Sequence, residues 1–143
     1  MISLEAHMNN QFLITFDSMP RGTAQMKRYN SYTRTYFKSK ALQETHRQFA
    51  LALKPYKPKK PSEAPIKLCI WLAFDIKSPK RLWGTWKTTK PDCDNYVKEF
   101  IDVMTELGWW KDDAQIVDLR IRKTYAEKAS IFVVWEELKE RPE

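Results

Sequence analysis

The segment from residue 66 to 76 constrains the fold more than any other part of the chain, because apolar residues alternate there with other residues. A period of two places successive side chains on opposite faces of a β-strand. The apolar set is Ile66, Leu68, Ile70, Leu72, Phe74 and Ile76. The segment therefore predicts a strand with one face in a hydrophobic core, and the rest of the chain has to supply its neighbours.

Three further segments predict strands, at residues 11–17, 115–123 and 131–136. The first two repeat the alternation of apolar and polar residues, and the third is a short apolar run. Residues 23–36 mix tyrosines with cations and show no clear period, so that a loop and a short strand are both open.

Two segments have apolar residues at steps of three and four, which is the spacing of one face of an α-helix. The first covers residues 39–53, with Ser39 as its N-cap. The second begins at Asp94 or Asn95 and ends before Gly108, since glycine commonly terminates helices.

The order strand, helix, strand, helix, strand, strand predicts an α/β or α+β fold, in which two main helices pack on a mixed sheet. The length of 143 residues fits one domain over residues 1–143. Residues 54–65 carry four prolines among cations and predict an extended connector across which the core is shared. The ends, residues 1–10 and 137–143, are expected to be flexible.

The charge balance favours a polyanionic partner such as DNA. The chain has 25 Lys and Arg against 18 Asp and Glu, a formal charge of +7 and a pI near 9.4. Cys69 and Cys93 lack the spacing of a zinc site or a disulfide framework. No signal sequence and no apolar run of about 18 residues are present, which predicts a cytoplasmic protein without a membrane segment.

The loop that follows the central strand, at residues 77–90, contains cations but no acidic residue. We expect four of its cations to bind DNA phosphates: Lys80, Arg81, Lys87 and Lys90. Trp83 and Trp86 lie among them, and two roles are open for these rings, stacking on unpaired bases or packing on the core.

Two carboxylates at the start of the second helix predict a metal site. Asp92 and Asp94 are two residues apart in the sequence KPDCDNYVKEF, and Lys98 lies one helical turn after Asp94. Crowded carboxylates repel each other unless a cation joins them, and hard oxygen ligands suit Mg²⁺ or Mn²⁺. Two simpler roles are open: Asp94 as the helix N-cap, and Lys98 in ion pairs with Asp94 and Asp102.

A second acidic pair, Asp112 and Asp113, falls in the turn after the same helix. The helix separates its two ends by about 20 Å. Asp113 can therefore join Asp92 only if the next strand returns to the helix start or if another subunit contributes. Asp112 is expected to be a turn residue or a supporting carboxylate.

Residues 90–123 resemble the RusA family of Holliday junction resolvases, whose pattern is a PDxDN block, a helix and a WxDDxQI block. The blocks stand here as PDCDN and WKDDAQI. The resemblance implies that Asp92, Asp94, Lys98 and Asp113 are catalytic and that the three aspartates bind Mg²⁺, with Mn²⁺ as a substitute.

The resemblance also implies what the protein acts on. Members of this family are homodimers that make paired symmetric nicks in four-way DNA junctions during recombination and repair, and prophages commonly carry their genes. Two alternatives are open: a non-catalytic protein that binds branched DNA, and a less selective nuclease that cuts flaps or forks. His46 is expected to be a core or helix-face residue, and Trp109 and Trp110 anchors of the core or of a dimer interface.

Overall fold

The computed structural model describes residues 10–23 and 27–142, which form six strands and two long helices. The strands are β1 (Gln11–Phe16), β2 (Lys27–Asn30), β3 (Thr35–Lys38), β4 (Ile66–Asp75), β5 (Ile116–Ala126) and β6 (Ala129–Glu137). The helices are α1 (Lys40–Leu53) and α2 (Cys93–Leu107). The predicted mixed sheet with two main helices is confirmed.

The main sheet has the strand order β1-β6-β4-β5. The β1/β6 and β6/β4 pairs are antiparallel, and the β4/β5 pair is parallel. Strand β4 is central and shows the predicted alternation, with its apolar set buried from Ile66 to Phe74. A single cluster of buried residues joins this face of the sheet to both helices.

The helices begin and end close to where the sequence places them. Ser39 caps α1 by accepting a hydrogen bond from Leu42 N at 3.3 Å. Helix α2 begins one residue earlier than predicted, with Asp92 as its N-cap residue. It ends at Gly108, whose φ of 94° lies in the left-handed region that a side chain disfavours.

The proline-rich segment departs from its prediction at its start. Residues Lys54–Tyr56 form a turn of 3₁₀ helix that continues α1, with Pro55 in its first turn, where a missing N–H is tolerated. The segment beyond this turn is irregular, apart from a bridge between Ser62 and Trp110. This bridge holds the connector beside the residues that follow α2.

The region that the sequence left open contains β2 and β3, which form an antiparallel hairpin outside the main sheet. Residues 1–9, which the sequence predicts to be flexible, lie outside the described residues. At the other end, β6 extends through Glu137, and Leu138 N donates to Pro65 O at 2.8 Å. Neither described helix is both long and apolar enough to cross a membrane.

Candidate active site

The parallel β4/β5 pair fixes the direction of α2, which connects the two strands. Ile66, at the start of β4, pairs with Ile116, at the start of β5. At the other end of α2, Lys123 in the second half of β5 donates from Nζ to Pro91 O at 2.6 Å. The N-terminus of α2 therefore lies near the end of β5, and the turn after α2 leads back to the beginning of β5.

The first two predicted site residues lie at this N-terminus. Asp92 is the N-cap residue, but its side chain makes no capping hydrogen bond and instead lies 3.0 Å from Lys90 Nζ. Asp94 is exposed in the first turn, so the alternative that it is the N-cap is wrong. The partial positive charge of a helix N-terminus stabilises both carboxylates at this position.

Asp94, Lys98 and Asp102 recur at four-residue steps and form one flank of α2. Burial raises the pKa of Asp102 above its ordinary value, and the carboxylates of Glu99 and Asp113 raise this pKa further. The cations Lys98 and Lys38 oppose that rise. Lys98 and Asp113 therefore both act electrostatically on Asp102, which the sequence marked only as an ion-pair partner of Lys98.

Asp113 begins a short 3₁₀ turn, Asp113–Gln115, directly before β5, and it is exposed. Asp112 caps this turn by accepting from Ala114 N at 2.9 Å, and Gln115 Oε1 accepts in return from Asp112 N at 3.0 Å. The predicted turn role of Asp112 is confirmed.

The three predicted metal ligands do not form one compact group. Within residues 10–23 and 27–142, no three Asp, Glu, His or Cys side chains are close enough together to hold a metal ion. The reason is the topology: β5 passes the N-terminus of α2 only in its second half, at Lys123, whereas Asp113 precedes its first residue. The catalytic and metal-binding roles of Asp92, Asp94, Lys98 and Asp113 stay predictions.

A cleft of about 600 Å³ opens beside the N-terminus of α2. Its lining includes Asp92, Lys87, Lys90 and Asp75, the last residue of β4. Asp75 Oδ1 accepts a hydrogen bond from Met19 N at 2.9 Å. Asp75 was not among the predicted site residues, although the carboxyl end of a strand in a parallel pair is a common position for binding residues.

Tyr96 forms the floor of this cleft and is almost fully buried. Its hydroxyl donates to Pro20 O at 2.6 Å. Burial raises the pKa of Tyr96 strongly, and the nearby carboxylate of Asp75 adds to the effect. Tyr96 therefore stays neutral and fixes the segment around Pro20 against the cleft.

The four predicted DNA-binding cations lie in or next to the loop after β4. Lys80 and Arg81 are exposed in a 3₁₀ turn, Lys80–Leu82. Lys90 is exposed beside Asp92. Lys87 is half-buried, with Nζ 4.8 Å from the centroid of the Tyr125 ring. Their contact with DNA stays a prediction.

The two tryptophans of this loop separate into different environments. Trp83 is half-buried and donates from Nε1 to Ile76 O at 2.8 Å, which favours packing. Trp86 is 63% exposed, which leaves its ring face open for stacking. Trp109 and Trp110 are both fully buried, which places them in the core, one of the two positions expected for them.

A buried charged cluster next to the flank of α2 has no local signal in the sequence, since its members come from distant segments. Glu99 of α2 is 1% exposed and forms an ion pair with Lys38 at the end of β3. The same oxygen lies 2.7 Å from His46 Nδ1, and His46 Nε2 lies 3.0 Å from Glu106. His46 is thus a half-buried helix-face residue, as expected.

Most of the described fold matches one protein family, and parts of it match individual proteins. The family model "Endodeoxyribonuclease RusA" matches residues 17–135. The "Crossover junction endodeoxyribonuclease rusA" of Lactococcus phage r1t is 44% identical over 77 residues, covering 52% of this chain and 58% of the phage protein. The "Uncharacterized protein YqaN" of Bacillus subtilis (strain 168) is 47% identical over 51 residues, covering 36% of this chain and 35% of that protein. Each match thus spans less than two thirds of the relative.

Proposed function

Since the chain belongs to the RusA endodeoxyribonuclease family, we propose that it is a Mg²⁺-dependent endonuclease that resolves four-way DNA junctions by paired symmetric nicks. Such cuts separate joined duplexes during recombination and repair. The similarity to a Lactococcus phage protein named as a crossover junction endodeoxyribonuclease supports both the substrate and a prophage origin.

The observation that carries the proposal is the placement of the acidic residues on α2 within the matched region. Asp92 lines the cleft at the N-terminus of α2 together with Lys87 and Lys90, and Asp94 lies in the first turn of the same helix. Neither carboxylate is buried in the core. A polyanionic backbone can therefore approach two acids that are flanked by cations, an arrangement that a purely structural role does not require.

The donor chemistry of this cleft edge fits a divalent cation. Mg²⁺ is usually held by one or two carboxylates together with water and substrate phosphates, and Asp92 and Asp94 supply two carboxylates before Asp113 is brought to the site. When bound there, Mg²⁺ acts as a Lewis acid on the phosphate and lowers the pKa of a bound water. Asp113 would complete the site when DNA binds or from a second subunit.

The other residues of the site act on the substrate. Lys98 follows Asp94 by one turn on the same flank of α2, where its charge offsets that of a phosphate. Lys90 lies 3.0 Å from Asp92 and can exchange this partner for a backbone phosphate. The predicted contacts of Lys80, Arg81 and Lys87 extend the positive surface along the loop after β4.

A homodimer is part of the proposal because two symmetric nicks require two active sites. An intracellular location, where DNA is found, is the corresponding expectation for the cell. Neither point depends on the contacts within one chain.

The experiment is to incubate the protein with four-way, Y-shaped and linear duplex DNA, each in Mg²⁺ and in EDTA. We expect paired nicks in the four-way junction with Mg²⁺ and no cutting in EDTA. Equal cutting of Y-shaped DNA would favour the flap or fork nuclease instead. Tight binding of all branched DNA without any cutting would favour the non-catalytic protein.

A further inference from the structure

The β2–β3 hairpin exposes an unusual number of aromatic rings. Tyr32 at its turn is 98% exposed, Tyr36 is 73% exposed and Tyr29 is 55% exposed. The hairpin forms its own two-stranded sheet, so neither of its strands pairs with the main sheet. Exposed aromatic clusters on a separate element indicate a binding surface rather than a packing surface.

The charge around the hairpin identifies the kind of partner. From residue 18 to residue 43 the chain contains no Asp or Glu. The cations in that stretch are Arg21, Lys27, Arg28, Arg34, Lys38 and Lys40. A second copy of the chain, docked symmetrically, would bring this positive surface against itself, whereas a nucleic acid complements it.

The turn of the hairpin is held in one conformation by local hydrogen bonds. Asn30 Oδ1 accepts from Tyr32 N at 2.9 Å and from Thr33 N at 3.2 Å. Below the turn, the rings of Tyr29 and Tyr36 form a cross-strand pair with centroids 5.1 Å apart. The rings are therefore presented by an ordered backbone, which lowers the entropy cost of binding.

The base of the hairpin is fixed beside the candidate active site. Lys38, the last residue of β3, forms the buried ion pair with Glu99, which adjoins Lys98 on α2. This ion pair ties the end of β3 to α2, the helix that carries Asp94 and Lys98.

The other face of the hairpin offers sites for phosphates. Arg28 pairs across the strands with Phe37, and both line a groove of about 730 Å³ against the start of α1. Lys38 and Lys40 line the same groove. By register, Arg28 lies on the face of the hairpin opposite Tyr29 and Tyr36, whereas Lys38 lies on the same face as Tyr36.

We propose that the β2–β3 hairpin is an arm that binds the branch point of the DNA substrate. Tyr32 and Tyr36 stack on bases at the branch, where the stacking of one base pair on the next is interrupted, while Arg28, Arg34 and Lys40 bind the adjacent phosphates. Bases within a duplex are already stacked on each other, so this arm distinguishes a branch from linear DNA. The inference rests on the proposed function, because it takes branched DNA as the substrate.

The test uses a four-way junction with 2-aminopurine at the branch point and a linear duplex of the same sequence, both in EDTA so that no cutting occurs. Tyr32→Ala should weaken junction binding by about 5- to 150-fold and duplex binding far less, since it removes one stacking platform. The matched control Tyr32→Phe keeps the ring and should bind as the parent protein does. Arg34→Ala should weaken both complexes and lower the slope of log affinity against log salt concentration by about one, the contribution of one phosphate contact.

Three results would overturn the arm. The first is an unchanged junction affinity of Tyr32→Ala, and the second is an equal loss of junction affinity in Tyr32→Ala and Tyr32→Phe. The third is a molar mass of Tyr32→Ala, measured by light scattering, that differs from that of the parent protein, which would assign the surface to contact with a second copy. Far-UV circular dichroism checks that the variants fold. The Tyr32 variants are expected to fold as the parent protein does, because the side chain of Tyr32 is exposed.

Nicking of the same junction by the parent protein in Mg²⁺ tests the proposed function separately. If the parent protein does not nick the junction but the variants show the predicted affinities, the nuclease proposal is wrong and the proposed role of the hairpin stands. If the parent protein nicks the junction but the variants bind it with unchanged affinity, the nuclease proposal stands and the proposed role of the hairpin is wrong.

Discussion

The inner face and the outer flank of α2 differ in burial, in charge and in what they contact. On the inner face, Val97, Phe100 and Met104 are fully buried against the sheet and α1. On the outer flank, Asp94 and Lys98 are exposed. One helix can thus carry both core residues and candidate site residues, because its period of 3.6 residues places them on different faces.

The largest expected effect on stability is on the inner face. Phe100→Ala should destabilise the fold by about 3 to 5 kcal/mol, since Phe100 is fully buried and packs edge-on to Phe49 at 5.1 Å. Lys98→Ala, on the flank, should stay within about 0.5 kcal/mol of the parent protein. Urea unfolding measures the free energy of unfolding of both variants, and similar losses in the two would contradict the distinction between the two faces.

A smaller effect is expected at Glu99, a charged residue on the buried side of the helix. Glu99→Ala should cost about 1 to 3 kcal/mol, because Lys38 and His46 both lose their shared partner. Glu106→Ala is the matched control: it removes another α2 glutamate that contacts His46 but is more than half exposed. If both variants lose the same stability in urea, burial does not explain the role of Glu99.

The smallest effect is expected at Asp102, where the flank meets the buried cluster. The pKa of Asp102 in the folded state is raised, mainly by burial and further by Glu99 and Asp113. The free energy of unfolding therefore falls as the pH rises from the ordinary aspartate pKa through the raised pKa of the folded state. Asp102→Asn should therefore melt at or above the parent temperature at pH 7.

The difference should disappear near pH 3, where about nine in ten aspartates of ordinary pKa are already protonated. Thermal unfolding at the two values of pH measures it. A lower melting temperature of Asp102→Asn confined to neutral pH would reverse the sign and contradict the assignment.

The parts of the fold that a sequence pattern predicts are those where burial acts on one face of a regular element. The alternation from Ile66 to Phe74 and the stripe of α2 are both of this kind. The hairpin could not be assigned, because its described side chains are mostly exposed and burial leaves no period there. The predicted start of α2 differs from the observed start by one residue, because Asp92, Asp94 and Asn95 are all good capping residues.

The sequence predicts on which helix or turn each candidate site residue lies, but not how the fold brings these residues together. The position of Asp113 relative to Asp92 depends on the pairing of β4 with β5, which no local pattern encodes. The same holds for the ion pair between Lys38 and Glu99, which are 61 positions apart. Long-range pairing decided both, and it placed Asp113 near Asp102 rather than at the N-terminus of α2.

The most direct test of the central proposal, that the acids of α2 hold a metal ion for cutting DNA, is the substitution Asp94→Asn. With a four-way junction in Mg²⁺, we expect cutting to fall by about 100-fold or more while junction binding is retained. Asp118→Asn, an exposed aspartate on β5, serves as the matched control and should cut normally. Unchanged cutting by Asp94→Asn would contradict the proposal.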